Sequence, residues 1–96
     1  MIEIRTNCEN CNTPLLPNSE DAMICAFECT FCKECVESIL QNVCPNCGGG
    51  FEKRPILRKD YLSKYPASET RIFKPINLSE FQIKLEKFKN IKPSER

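Results

Sequence analysis

The sequence predicts a small α+β fold held together by something other than apolar burial, and three observations carry that expectation. With 96 residues there is room for one small domain and an appendage. All eight cysteines fall in the first half of the chain, and there is no tryptophan. The same half is short of Leu, Ile and Val, so thiols stand where a core would be. Crowding of this kind means disulfides or a bound metal.

The start of the chain favours metal. Met1-Ile2-Glu3-Ile4-Arg5 runs almost at once into the first cysteine, without the apolar stretch of a secretory leader. The expectation is therefore a cytoplasmic protein whose thiols stay reduced. No run of 18 apolar residues suggests a membrane span.

The elements are expected in the following order. Residues 1–7 alternate apolar and polar through Ile2 and Ile4, as a short edge strand does. Residues 13–19 read as a loop, because Pro14 and Pro17 deny it a regular ladder. Residues 22–28 turn apolar and aromatic and suit one strand of a hairpin that returns through Cys29-Thr30-Phe31. A helix is expected from Lys33 to Val43, with Val36, Ile39, Leu40 and Val43 at helical spacing and Cys44-Pro45 ending it. Gly48-Gly49-Gly50 then forms a flexible turn. A short helix over 57–65 stops at Pro66, and 66–77 is extended. The last helix runs from Leu78 to Ile91, with Asn77 as N-cap and Glu80 three residues on. Its stripe of Leu78, Phe81, Leu85, Phe88 and Ile91 faces either its own domain or a partner.

Charge divides the chain. Residues 1–50 carry two basic and seven acidic groups, a net of −5, whereas residues 51–96 carry twelve basic and six acidic, a net of +6. Eight thiolates around two divalent ions would deepen the negative side by four charges. Opposite halves favour contact with each other at low salt.

The cysteines follow the order C-x2-C, thirteen residues, C-x3-C-x2-C-x2-C, eight residues, C-x2-C. Two residues between cysteines form a tight knuckle that lets both sulfurs reach one tetrahedral ion, and four sulfurs complete the shell. The chain has no histidine, so both sites are all-cysteine and closed, with no position for water or substrate. That is the arrangement of structural zinc, and two Zn²⁺ are expected. No catalytic residue and no organic cofactor site is expected, since neither an open metal position nor a histidine base exists.

The spacing resembles the RING finger, in which ligand pairs one and three hold one ion and pairs two and four the other. The resemblance implies Cys8, Cys11, Cys32 and Cys35 as the first site and Cys25, Cys29, Cys44 and Cys47 as the second. Cys29-Thr30-Phe31-Cys32-Lys33-Glu34-Cys35 is similar to the RING segment in which a phenylalanine precedes a CxxC pair, with Cys29 in the usual place of a histidine. Cys44-Pro45-Asn46-Cys47 is similar to the closing Cys-Pro-x-Cys. The resemblance implies a cross-braced, treble-clef-related module over 1–52; the residues beyond it read as a basic extended arm over 53–77 and an amphipathic helix over 78–92. Residues 1–75, including Cys44-Pro45-Asn46-Cys47-Gly48-Gly49, Arg54-Pro55 and Tyr65-Pro66-Ala67-Ser68, are also similar to a family of short bacterial cysteine-rich proteins known as domain of unknown function 1272. The terminal helix extends past that family's usual length.

The expected function is a non-enzymatic interaction module, with a protein partner or self-association through Leu78, Phe81, Leu85 and Phe88. Three other readings are open. Lys53, Arg54, Arg58 and Lys59, interleaved further along with Tyr61 and Tyr65, could bind nucleic acid. The RING resemblance implies a ubiquitin-ligase-like activity, but Glu9-Asn10 and Gly48 stand where ligases use an apolar and a basic contact. Cys29, Cys32 and Cys35 could form a zinc-thiolate redox sensor.

Overall fold

A computed structural model describes all of residues 1–96. Strands β1 (Ala22–Ile24) and β2 (Thr30–Cys32) form the expected hairpin, with Ala22 opposite Cys32, Met23 opposite Phe31 and Ile24 opposite Thr30. The turn closes because Glu28 enters the left-handed region at φ 64° and its N–H donates to the Cys25 carbonyl at 2.9 Å. A third strand, β3 (Glu52–Lys53), pairs antiparallel with the other edge of β1, so the sheet order is β2-β1-β3. The sequence reading did not foresee β3; two residues carry no periodicity. The edge strand expected over residues 1–7 is instead a single bridge between Asn7 and Pro14.

The early helix differs from expectation in its winding and its end. One α-helical turn, α1 (Lys33–Cys35), continues directly as a wide π-helical turn over Val36–Leu40. It stops at Gln41 and Asn42, both at positive φ, before Cys44-Pro45 is reached. Val36 and Leu40 of this turn, and Val43 beyond it, lie in the core, and Ile39 stands partly in solvent. The helix expected over 57–65 is reduced to a 3-10 turn at Lys59–Tyr61, and no helix or strand forms over 66–77.

The last helix, α2 (Leu78–Phe88), starts where its cap predicts: the Asn77 carboxamide oxygen accepts from the N–H groups of Ser79 and Glu80. Phe81 and Leu85 are buried in the same cluster as Leu15, Phe31, Val36, Leu40, Val43 and Phe51, with Phe88 packed at its border. Phe31 and Phe51 meet edge to face, their centroids 5.4 Å apart. Leu78 is 65% exposed. The stripe thus closes the chain's own core, and of the four residues named for partner contact only Leu78 stands free.

The second half wraps the first. Backbone bonds run from Ser68 N to Ile4 O and from Lys74 N to Glu9 O, and the buried Asn7 amide donates to Ile72 O. Arg54 also belongs to the interior, at 1% exposed, with its guanidinium donating to the carbonyls of Arg5 and Leu16. Burial lowers its pKa, and it faces no carboxylate. It fastens the N-terminal segment to the proline loop, with both guanidinium bonds spent on backbone carbonyls. No helix is long and apolar enough to cross a membrane.

Candidate metal centres

The two outer knuckles fold alike. In the first, Asn12 N donates to Cys8 O at 3.0 Å and Asn12 lies at φ 64°. In the last, Gly48 N donates to Cys44 O at 2.8 Å and Gly48 lies at φ 77°. Each chain reversal turns N–H groups back toward thiols, as in the bond from Gly49 N to Cys47 Sγ at 3.4 Å. The inner pairs do the same, with Phe27 N to Cys25 Sγ at 3.3 Å and Cys35 N to Cys32 Sγ at 3.5 Å. Donors aimed at sulfur stabilise thiolates, the form that binds metal.

The sulfurs gather in two groups drawn from distant parts of the chain. Those of Cys8, Cys11, Cys32 and Cys35 all lie within 4.8 Å of one another. So do those of Cys25, Cys44 and Cys47. Cys29 stands at the edge of the second group: its carbonyl accepts from Cys25 N at 3.2 Å, and its sulfur accepts from the Asn46 amide at 3.3 Å. All but Cys11 and Cys47 are buried.

The first group fits a tetrahedral ion closely. Zn–S bonds of about 2.3 Å place the sulfurs of a tetrahedron roughly 3.8 Å apart. Cys11 Sγ and Cys32 Sγ are 3.7 Å apart. The second group offers the same soft donors, three within reach and the fourth adjoining. Both groups could hold metal ions, and zinc suits an all-sulfur tetrahedral shell.

Without an ion, burial keeps most of these thiols protonated. Burial pushes the Cys25 thiol up to about 11, with its neighbour Cys29 adding to the effect. Burial likewise raises Cys32, Cys35 and Cys44. Burial also acts to raise Cys8, but N–H groups of Cys11, Cys32 and Asn10 outweigh it and leave that thiol lowered. The raised thiols must lose protons to bind an ion.

Three polar residues around the sulfurs escaped the sequence reading. Glu9, 4% exposed, lies between the groups: its carboxylate accepts from Thr30 N at 3.0 Å, Arg5 at 3.3 Å and the Asn46 amide at 3.4 Å. Asn10 donates to Cys35 Sγ at 3.4 Å, as Asn46 does to Cys29 Sγ. The signal was present in Cys8-Glu9-Asn10-Cys11 and Cys44-Pro45-Asn46-Cys47, where asparagine holds the same place in both knuckles. Of the cations expected to meet nucleic acid, Lys53 lies 3.6 Å from Glu20, Arg58 pairs with Asp60 at 2.6 Å and stacks on Tyr61, and Arg54 is buried.

Residues 1–57 match the sequence profile of a family described as protein of unknown function (DUF1272). An uncharacterized protein of Rhizobium meliloti (strain 1021) is 53% identical over 75 residues, covering 78% of this chain and 89% of that relative. No solved structure matches.

Proposed function

We propose that this chain, which belongs to the DUF1272 family, holds two structural zinc ions in a RING-like cross-brace and serves as a non-enzymatic interaction module. The observation that carries the reading is the convergence of Cys8 and Cys11 with Cys32 and Cys35, across a segment that contributes Cys25 to a different group. Pairs one and three sharing an ion, and pairs two and four the other, is the interleaving that defines a cross-brace. Cys25, Cys29, Cys44 and Cys47 are the ligands of the second ion in this reading.

The role of such ions is mechanical. Four thiolates fill the tetrahedral shell, so a bound zinc supplies cohesion and no Lewis-acid position. The chain's own residues supply the rest: backbone N–H groups hold charge on the sulfurs, and Phe31, Phe51, Phe81 and Leu85 are buried in one cluster with six of the cysteines. Glu9 turns inward to Thr30, Arg5 and Asn46, so the first knuckle lacks the apolar contact through which RING ligases dock their conjugating enzyme.

The test is metal removal. Chain stripped with a chelator under denaturing conditions and returned to buffer should show collapsed amide dispersion in its NMR spectrum. Two equivalents of zinc should restore it. A stripped chain that keeps the native spectrum would refute a structural role for the ions.

A further inference from the structure

Segment 74–76 crosses both centres, and two asparagine amides lie between it and the sulfurs. At the first centre, Ile76 N–H donates to Asn10 Oδ1 at 3.0 Å while Asn10 Nδ2 donates to Cys35 Sγ at 3.4 Å. A backbone N–H needs an acceptor, so the amide oxygen faces the strap and the NH2 group falls on the thiolate. At the second centre, Asn46 Nδ2 donates both to Glu9 Oε1 at 3.4 Å and to Cys29 Sγ at 3.3 Å, while Lys74 Nζ approaches Asn46 Oδ1 at 3.5 Å. A carboxylate accepts only from the amide nitrogen, which fixes this amide in the same sense. Lys74 N also donates to Glu9 O at 2.8 Å, pinning the strap to the first knuckle.

We infer that Asn10 and Asn46 are positioning residues of the two zinc centres, each oriented by groups outside its own knuckle so that its NH2 bonds one thiolate and retards zinc release. The inference rests on the zinc reading above. Its physical basis is that an N–H···S bond from outside the metal shell holds the ligating sulfur in place and supports its charge, as outer partners of metal ligands do. Outer partners of metal ligands change metal affinity by about 10–100-fold when lost. The strap thereby links the C-terminal half of the chain to metal retention without supplying a ligand.

Asn10→Asp separates this role from mere docking, because an aspartate keeps an oxygen for Ile76 N–H while placing oxygen instead of nitrogen against Cys35. Native mass spectrometry first counts zinc; a wild-type chain without zinc would overturn the underlying reading and this inference with it. Zinc transfer to the dye 4-(2-pyridylazo)resorcinol is then timed. Asn10→Asp should release one ion about tenfold faster, and Asn46→Asp the other. In chain loaded with ¹¹³Cd, Asn10→Asp should move one of two resonances and Asn46→Asp the second. Release at the wild-type rate with both resonances unmoved would overturn the inference, as would equal movement of both by either variant. Wild-type chain gives an independent answer should a variant fail to fold. A ¹H–¹¹³Cd correlation should show the side-chain NH2 protons of Asn10 and Asn46 coupled to separate cadmium ions, and absence of both peaks would refute it.

Discussion

The two sulfur groups begin from nearly the same knuckle and are finished differently. The first has four sulfurs in mutual reach and is covered by extended backbone from Ser68 to Ile76. The second has three in reach with Cys29 adjoining, and its knuckle is covered by the terminal helix and the residues after it: Lys84 Nζ donates to Pro45 O at 2.9 Å, Arg96 to Gly48 O at 3.3 Å, and Phe88 packs on Gly48. A short motif can thus be used twice while the surrounding chain sets how open each copy is. The difference also explains why the C-terminal half is not a loose tail. It forms the outer wall of both knuckles.

The largest effect should come from removing one ligand of either group. Structural zinc contributes an apparent 10–16 kcal/mol that is also folding energy, against total stabilities of roughly 5–15 kcal/mol. Cys32→Ser and Cys44→Ser should each abolish the cooperative thermal transition, and retention of a wild-type transition in either would detach that group from the fold. The wall of the second knuckle comes next. Leu85→Ala should cost about 2–5 kcal/mol in urea denaturation, whereas Leu78→Ala, at the exposed end of the same stripe, should stay within about 0.5 kcal/mol. Equal losses would mean that α2 does not pack as described.

Gly48→Ala should cost about 1–3 kcal/mol, because positive φ strains an alanine and its Cβ would lie 2.9 Å from the Phe88 ring. Asn12, at the equivalent place in the first knuckle, already carries a side chain there. A Gly48→Ala variant as stable as wild type would remove the asymmetry between the knuckles. The smallest effect concerns acid. Thiols raised in the folded chain give up protons to metal, so zinc is held at neutral and alkaline pH and lost as pH falls. The first group has all four sulfurs in mutual reach, so that centre should be the last to empty in an acid titration followed by ¹¹³Cd signals. Simultaneous loss would indicate that the two centres bind as a unit.

Much of this arrangement was legible in the sequence, and the omissions have physical reasons. CxxC spacing is a local constraint, so the knuckles and the hairpin between Cys25 and Cys29 could be read directly. Asn77 is a cap whose partners are its own neighbours, and the start of α2 followed from it. The π-helical turn could not be read, because Val36 and Leu40 lie four residues apart, as on one face of an α-helix, and no glycine announces the stop at Gln41. Arg54 looked like a surface cation because composition carries no information on which carbonyls lack partners. Its two acceptors lie 49 and 38 residues away in sequence. Asn10 and Asn46 passed as knuckle spacers, since their bonds to sulfur depend on segments that meet only in the folded chain.

Native mass spectrometry of the chain, purified without added metal and sprayed from ammonium acetate, tests the central claim most directly. The account predicts one dominant species at the chain mass plus two zinc ions, less the protons displaced by eight thiolates. A dominant species with a single zinc would leave the second group without its ion, and a metal-free or disulfide-bonded mass would contradict the account altogether.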